Sequence, residues 1–489
     1  MNGLQVVSIG DSVMWGQGLL PEQKLHVLAT KAIAAAMHVN AEHVELRHLA
    51  HSGAVIRTTA SSPILDSSVA FWEEVPNSTP TILEQLDAAS LDSQPNLEVN
   101  LLLINGGIND IDFRTILDPT TTFAAIEGLT KDNCYTEWVN GVLPKARLLF
   151  PNAVIAILGY YPILSEDSQV GAIGTTVGLV AGGGAGAFAA SVSARRATVN
   201  CRYFHLRQLS WLRRAVAESA VNSDLRGPGI LFVHPAFGPM HCVGASEPFL
   251  FAPSFRTSES GIETADPIAH QRKEACKKLR DETVTQTQCV VASIGHPNTL
   301  GARRYADAIS TKFFSNRSIG LRNDLSKLVN LNLTVRAAAV RFGLVKARTS
   351  LRDLLQHVTV DCLDVEIETS KEGGAGTDDD IFLRIGPERE WPLGGSLLEG
   401  DVSDDFESGS TAVYTIDPAN GNPNRRLHLS EIEELTLIKR PGVLSFGSDW
   451  RAASIIFSIN GFPVFSGIVN VELTTSKPTW TSAEYPVAV

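Results

Sequence analysis

QVVSIGDS, residues 5–12, joins a short apolar run to a glycine, an aspartate and a serine. An apolar run of this length that ends at a glycine predicts a buried strand followed by a turn. The residues after it, VMWGQG at 13–18, favour the start of a short helix. Ser12 is therefore predicted to lie at a strand-to-helix turn with its hydroxyl facing a cleft, which is where a nucleophile belongs.

Similar apolar runs recur through the first part of the chain, separated by segments of helix length. They lie at 6–9, 44–49, 99–104, 154–158 and 230–233. Alternating strands and helices predict βαβ units and a mostly parallel sheet, with ligand chemistry at the carboxyl ends of the strands. The sequence thus predicts an α/β domain whose site lies at that edge.

The second part of the chain has a different texture. Short alternating runs lie at 358–367, 381–385, 412–416, 434–439 and 454–459, with glycine- and aspartate-rich breaks between them. Short strands without intervening helices predict an antiparallel β-sandwich. Because 489 residues exceed what one hydrophobic core usually organises, we predict an α/β domain at 1–322, a helical connector at 323–356 and the sandwich at 357–480.

Composition narrows the class of protein. The formal net charge of -12 argues against a dedicated nucleic-acid binder, because phosphate binding needs a basic surface. The six cysteines form no CxxC pair, so mostly free, buried thiols are expected, with one or two disulfides left open. No charged and apolar leader precedes the first strand, which predicts a cytoplasmic or peripheral membrane location unless a leader was removed.

An uncharged, glycine-rich segment spans residues 168–194. It is long enough to cross a bilayer, but three consecutive glycines at 182–184 would weaken a helix there. A packed or lid-like insert is therefore the preferred interpretation. Contact with a membrane interface is the alternative, and a true membrane span is the least favoured.

Two glycine-containing blocks follow the second and third strand candidates. HSGA at 51–54 brings Gly53, whose N–H a substrate can approach because glycine has no side chain. GGIND at 106–110 places the Asn109 amide at the carboxyl edge of the sheet, where it can complete an oxyanion hole. Singly, each residue is as typical of ordinary structure: a turn glycine at 53, an Asx turn at Asn109 and a helix cap at Asp110.

GHPN at 295–298 precedes a run at 300–309 that predicts a helix. His296 would then lie at a loop-to-helix junction. A single histidine is more often structural, but a serine hydroxyl needs an adjacent base to become a useful nucleophile. His296 is therefore the candidate base for Ser12.

As a set, these blocks resemble those of the SGNH (GDSL) hydrolase family, over residues 4–312: Gly10-Asp11-Ser12, Gly53, Gly107-Ile108-Asn109-Asp110 and His296. The resemblance implies a flavodoxin-like three-layer α/β/α fold and hydrolysis of carboxylic esters. It implies Ser12 as the nucleophile and His296 as the base. The backbone N–H groups of Ser12 and Gly53 and the side-chain amide of Asn109 would form the oxyanion hole.

The triad acid departs from the family pattern. The family often has an aspartate three residues before the histidine, and that position holds Ser293 here. We therefore predict a Ser-His dyad or a relocated acid, because a backbone carbonyl or a carboxylate from elsewhere can orient the ring. Asp266 is one distant substitute. Asp11 and Asp110 are expected to support the site.

The second domain resembles the PLAT (lipoxygenase-homology) β-sandwich over residues 358–475. The resemblance rests on GGAGTDDD at 373–380 before the strand IFLRI, and on Asp449-Trp450 before a final strand. It implies docking on membranes or partner proteins beside a lipid enzyme. The acidic turn at 378–380 could hold Ca²⁺, although a solvated turn is the commoner meaning of clustered acids.

Three functions remain open at this point. The first is a lipase- or phospholipase-like esterase that the sandwich brings to a lipid surface. The second is an esterase for small soluble or acetylated-carbohydrate esters. The third is a non-catalytic binding scaffold, against which the intact blocks argue. No HExxH or paired-cysteine pattern is present, so catalysis without a metal or other cofactor is the expectation.

Overall fold

A computed structural model divides the chain into two compact units, residues 1–319 and 320–489. The structure describes residues 3–57, 71–90, 95–180, 191–221, 228–258, 261–278, 285–317, 359–360, 363–371, 380–385, 389–394, 406, 409, 411–416, 418, 427–428, 431–432, 435–440, 449–459 and 462–481. The predicted helical connector at 323–356 lies outside the described residues.

The first unit is built on a five-stranded parallel sheet. In chain order its strands are β1 (Leu4–Ile9), β2 (Val44–His48), β3 (Leu101–Ile104), β4 (Val154–Leu158) and β5 (Ile230–Val233). Their spatial order, β2-β1-β3-β4-β5, is the doubly wound order of flavodoxin-like folds. In the register, Leu4 lies opposite Val44 and Val6 lies opposite Leu101. The five predicted strands and the α/β fold class are confirmed.

Helices cover both faces of this sheet. They are α1 (Ser12–Trp15), α2 (Leu25–Ala36), α3 (Ile82–Ala89), α4 (Ile108–Ile111), α5 (Phe113–Leu117), α6 (Phe123–Lys131), α7 (Leu143–Leu149), α8 (Val170–Val180), α9 (Ser191–Val221), α10 (Ala269–Cys276), α11 (Gln286–Val290) and α12 (Thr299–Arg317). Helix α2 packs on α12, and α3 packs on α7. Strands β3 and β4 are buried along their whole length, as expected of strands covered on both faces.

A short antiparallel hairpin and a disulfide follow the sheet. The hairpin pairs β6 (Phe255–Ser258) with β7 (Gly261–Thr264). Cys276 and Cys289 form a disulfide that joins the end of α10 to α11, so the expectation of free thiols is wrong for this pair and the open alternative of one bridge is realised. The sequence did not predict this disulfide, because the spacing of the two cysteines does not show that α10 and α11 lie side by side. Three other cysteines are free and buried: Cys134, Cys201 and Cys242.

The second unit is an antiparallel β-sandwich, as predicted. Its strands are β8 (Thr359–Val360), β9 (Leu363–Thr369), β10 (Asp380–Ile385), β11 (Arg389–Gly394), β12 (Thr411–Ile416), β13 (Leu427–His428), β14 (Leu435–Arg440), β15 (Trp450–Ile459), β16 (Phe462–Leu473) and β17 (Thr479–Thr481). Two four-stranded sheets have the orders β11-β10-β14-β17 and β12-β9-β15-β16. They enclose a core of their own, in which Trp450 and Trp480 are buried.

The uncharged segment at 168–194 contributes α8 to the first unit, and residues 181–190 lie outside the described part of the chain. Among the helices that the structure describes, none has both the length and the apolar character that a membrane crossing requires. The interpretation of this segment as an insert or an interfacial contact stays a prediction.

Two histidine rings stack on each other beside β1. The rings of His26, on α2, and His48, at the end of β2, lie 3.8 Å apart. His26 Nδ1 lies 3.0 Å from the carbonyl oxygen of Met14, and His48 Nδ1 lies 2.5 Å from Ser8 Oγ. Burial lowers the pKa of His26 to about 3, with the Lys24 charge acting in the same direction, and burial holds the pKa of His48 well below its ordinary value. Both rings are therefore neutral at neutral pH.

We expect acid to destabilise the first unit through His26. The pKa of His26 is about 3 in the folded chain and 6.5 by its ordinary value. Between these pH values His26 is protonated in the unfolded chain but neutral in the folded chain. This stability contribution is complete above the unfolded pKa and is lost as pH falls toward the folded pKa. The loss from neutral pH to about pH 4 amounts to about 3 kcal/mol.

Urea unfolding at these two pH values, for the wild type and for His26→Phe, measures this effect. Phenylalanine keeps a ring stacked on His48 but cannot be protonated. The variant should therefore lose less unfolding free energy on acidification than the wild type. Equal losses in the two proteins would exclude His26 as the cause.

Candidate active site

Ser12 lies where β1 gives way to α1. Asp11 is the N-cap of this helix, and its Oδ1 accepts a hydrogen bond from the Val13 N–H at 2.9 Å. Gly16 ends the helix in the left-handed conformation, with φ 78°, which glycine adopts without strain. Ser12, which is 6% exposed, is thus held in the first turn of a helix. Backbone N–H groups at such a position favour nearby negative charge.

His296 reaches Ser12 from a turn 284 residues further along the chain. Its Nε2 lies 2.7 Å from Ser12 Oγ, which is hydrogen-bonding distance. Main-chain hydrogen bonds hold the turn: Phe251 N–H donates to the His296 carbonyl oxygen at 2.8 Å, and Asn298 N–H donates to the Phe249 carbonyl oxygen at 2.8 Å. The structure therefore brings together the predicted nucleophile and the predicted base.

The surroundings of His296 keep its ring neutral. Burial, followed by the charge of Arg272, lowers the pKa of His296 to about 4. The backbone carbonyls of residues 292–294 act in the opposite direction. Among the described residues, none of these carbonyls or any other group meets Nδ1 at hydrogen-bonding geometry. A neutral ring with its hydrogen on Nδ1 offers Nε2 as an acceptor for the Ser12 hydroxyl proton.

Gly53, in the loop after β2, and Asn109, on α4, lie in two segments that are tied together. Asn109 Nδ2 donates to the Ala54 carbonyl oxygen at 2.9 Å. Gly53 has φ 83°, and a Cβ at this residue would lie 2.4 Å from the Asn77 backbone nitrogen. Both the backbone conformation and the available space therefore require glycine at this position.

Asp110, also on α4, ties the same two segments together. Its carboxylate oxygens lie 3.0 and 3.1 Å from the Ile56 nitrogen and accept its N–H. Burial raises the pKa of Asp110 to about 7, although the hydrogen bond from Ile56 opposes the shift. Asp110 thus holds α4, which also carries Asn109, against the segment that follows Gly53.

Asp11 belongs to a buried polar network that sequence reasoning missed. Asn105 Nδ2 donates to Asp11 Oδ1 at 2.7 Å, and the Tyr160 hydroxyl donates to Asp11 Oδ2 at 2.5 Å. The Tyr160 hydroxyl also accepts from the Ile108 N–H at 3.3 Å, so it joins the nucleophile turn to the start of α4, which carries Asn109. Burial raises the pKa of Asp11, and its hydrogen bonds oppose that shift.

Position along the sheet was the available signal for this network. Asn105 directly follows β3, and Tyr160 lies shortly after the end of β4. Both residues therefore belong to the carboxyl edge that α/β folds use for ligand chemistry.

Ser293, at the position of the family's usual acid, lies in a buried polar cluster. Its Oγ is 2.8 Å from Asp266 Oδ2 and 3.2 Å from Arg272 Nη2. The sequence analysis offered Asp266 as a distant substitute for the missing acid. In the structure its carboxylate contacts Ser293, the residue at the position where the family often has that acid.

Metal binding has no candidate in this region. Within the described ranges, no group of three or more His, Cys, Asp or Glu side chains is arranged to hold a metal ion. Asp378 and Asp379 of the predicted Ca²⁺ turn lie outside the described residues, whereas Asp380 opens β10 opposite Arg440. The Ca²⁺ site stays a prediction.

No family model matches the chain, and no curated protein sequence matches it. Solved structures are similar to parts of it. The extracellular lipase from Streptomyces rimosus is 13% identical over 63% of this chain and 100% of its own, with a TM-score of 0.33. Phospholipase A1 from Streptomyces albidoflavus NA297 is 14% identical over 64% of this chain and 99% of its own, with a TM-score of 0.32. Coral 8R-lipoxygenase is 20% identical over 24% of this chain, with a TM-score of 0.18.

The similarity to these proteins concerns the fold alone. This chain spans 16% of the length of the lipoxygenases that it matches. The order of the parallel sheet and the two four-stranded antiparallel sheets confirm the predicted flavodoxin-like α/β fold and the predicted β-sandwich. Fold and site together define a class: an α/β protein with a serine–histidine pair at the carboxyl edge of its sheet, followed by a β-sandwich.

Proposed function

We propose that the chain hydrolyses carboxylic esters through an acyl-enzyme formed on Ser12. The 2.7 Å approach of His296 Nε2 to Ser12 Oγ carries this proposal. Neutral His296 accepts the hydroxyl proton while Oγ attacks the acyl carbon. The tetrahedral intermediate collapses as the ester C–O bond breaks, and the leaving alkoxide takes the proton from His296. Water, activated by the same base, then attacks the acyl-enzyme, releases the acid and restores Ser12.

Stabilisation of the tetrahedral intermediate needs N–H donors that are already in place. The candidates are the backbone N–H groups of Ser12 and Gly53 and the side-chain amide of Asn109. An amide NH₂ carries two N–H groups, and the contact with Ala54 uses one of them. That contact also sets the direction of the amide, so the second N–H is free to bind the oxyanion without a loss of rotational freedom.

Lipid esters are the substrate class that we propose. Among the large apolar side chains that are exposed in the described part of the chain are Val170, by 63%, Met240, by 42%, and Leu300, by 54%. Hydrogen bonds join their segments to the loop at 238–251, which itself pairs with the turn that carries His296. Exposed apolar side chains in segments linked to the His296 turn support an apolar substrate. The resemblance of the sandwich to PLAT domains, which implies docking on membranes or partner proteins beside a lipid enzyme, supports the same substrate class.

Hydrolysis of p-nitrophenyl esters from acetyl to palmitoyl, with and without phospholipid vesicles, tests this proposal. We expect a preference for long acyl chains and faster hydrolysis when vesicles are present. A maximum at acetyl would replace lipid by small soluble or acetylated-carbohydrate esters. If the folded protein hydrolyses no ester and does not react with a fluorophosphonate, the non-catalytic binding scaffold is the function that remains.

A further inference from the structure

A buried ionic cluster lies behind the turn that carries His296. Arg272, on α10, forms a two-point ion pair with Asp266, at 2.6 Å from Nη2 to Oδ2 and 3.1 Å from Nη1 to Oδ1. Ser293 Oγ donates to the same Oδ2 at 2.8 Å. The side chains of Arg272 and Asp266 are 0% and 1% exposed. Such burial costs desolvation free energy, which only well-placed partners offset.

The cluster holds the turn at two points. Arg272 Nε donates to the Val290 carbonyl oxygen at 3.0 Å. Ser293, whose hydroxyl binds Asp266, accepts the His296 N–H through its own carbonyl oxygen at 3.0 Å. The direction in which the imidazole points therefore depends on a turn whose position the cluster determines.

We propose that Asp266 is a positioning residue for His296. It acts through Ser293, which stands where the family often has an acid, and holds the turn that carries His296. The turn keeps the hydrogen of the imidazole on Nδ1 and presents Nε2 to Ser12. This inference rests on the proposed hydrolase function, and it deepens that function by naming the group that replaces the missing acid.

Charge in the cluster acts on the base as well. Burial opposes ionisation of Asp266, but Arg272 and the hydrogen bonds to the carboxylate hold its pKa below the ordinary value. Asp266 is therefore ionised at neutral pH. Its negative charge offsets the positive charge of Arg272, and it is the Arg272 charge that disfavours protonation of His296. Glu74, 3.5 Å from Arg272 Nη1, is the second carboxyl group at the guanidinium, and burial raises its pKa. Loss of the Asp266 charge leaves Arg272 less compensated, so His296 becomes harder to protonate.

Asp266→Asn is the first test, because it removes the charge and keeps the size of the side chain. We expect kcat to fall about 10- to 100-fold, because a catalytic group displaced by about 1 Å can lose about 100-fold in rate, with little change in KM. The acid limb of kcat/KM should move to lower pH. Ser293→Ala should also lower kcat, although it leaves the ion pair between Arg272 and Asp266 in place.

Glu127→Gln is the matched control. Glu127 forms a two-point ion pair with the buried Arg207 in the same unit, at 2.6 and 2.8 Å. Breaking this pair removes a comparable interaction away from the His296 turn. The variant should keep the wild-type kcat and the wild-type pH profile.

Moving the carboxylate is the second test. Ser293→Asp alone puts two carboxyl groups side by side in a buried place and should lower both thermal stability and activity. Combined with Asp266→Ser, it restores a single carboxylate beside Arg272, now three residues before His296. Because the two positions are in contact, the effects of the two substitutions on activity should not add. The activity of the double variant should be at least about tenfold higher than that of Asp266→Ser alone.

Nitrogen-15 histidine spectra separate this inference from the proposed function, because they do not depend on ester hydrolysis. The resonances of His296, identified by their loss in His296→Gln, should show the Nδ1–H tautomer in the wild type. They should show a mixture of tautomers in Asp266→Asn and in Ser293→Ala.

Folded Asp266→Asn or Ser293→Ala protein with the wild-type kcat, pH profile and tautomer would overturn the inference. Ser293→Ala decides if Asp266→Asn does not fold, since it keeps the ion pair. A wild type that hydrolyses no ester, but whose tautomer still changes with Asp266, would overturn the hydrolase function and leave the positioning role standing.

Discussion

Ser12→Ala is expected to abolish ester hydrolysis. We expect kcat/KM to fall about 10⁴- to 10⁶-fold, because no oxygen remains to form the acyl-enzyme and only oxyanion donors and substrate binding are left. The fold should survive, because the side chain that caps α1 belongs to Asp11 and not to Ser12. Initial rates with the preferred p-nitrophenyl ester measure the loss, and fluorophosphonate labelling should disappear with it.

Ser90→Ala is the control for this variant. Ser90, like Ser12, is 6% exposed, and its hydroxyl donates one hydrogen bond, to the Asp87 carbonyl oxygen at 2.7 Å. It directly follows α3 and takes no part in the proposed chemistry. Ser90→Ala should therefore keep both activity and label. Hydrolysis by Ser12→Ala within about tenfold of the wild type would mean that another nucleophile acts.

His296→Gln is expected to have the second largest effect. Glutamine can still hydrogen-bond to Ser12 Oγ, but it cannot take the hydroxyl proton at neutral pH, so kcat should fall about 10⁴-fold or more. KM should change little, because the ring is proposed to act in proton transfer and not in substrate binding. Fluorophosphonate labelling should slow in proportion to kcat. His43→Gln is the control, since the His43 side chain is 55% exposed.

The pH profile of the wild type tests the same residue. His296 must be neutral to accept a proton, and burial lowers its pKa from 6.5 to about 4. We therefore expect kcat/KM to stay high through weakly acidic pH and to fall only as pH drops through about 4. An acid limb centred at the ordinary histidine pKa would contradict this. Enzyme exposed to acid and then assayed at neutral pH separates the protonation of His296 from acid unfolding through His26.

Much of the architecture could be predicted because burial leaves a local trace in the sequence. The runs at 154–158 and 230–233 coincide with β4 and β5, since a strand covered on both faces is a continuous apolar run. Strand β16 was missed because it contains Pro463 and Gly467, which argue against a central strand. In the sandwich β16 is an edge strand, paired only with β15 in its sheet, and such a position tolerates both residues.

The candidate site was predictable only in part. Ser12, Gly53, Asn109 and His296 stand out because each lies in a short block of distinctive composition. Tyr160 has no such block around it. Its importance comes from one hydroxyl that touches both Asp11 and Ile108, and these residues are far from it along the chain.

Local periodicity and the order of the polar blocks were enough to predict strands, helices, two fold classes and a serine–histidine pair. The 2.7 Å contact between Ser12 and His296, the pairing of Cys276 with Cys289 and the approach of Asp266 to Ser293 needed the folded chain. The physical reason is that apolar spacing reports burial against an unspecified neighbour, whereas a buried hydrogen bond or ion pair depends on which neighbour the tertiary fold brings within a few ångströms.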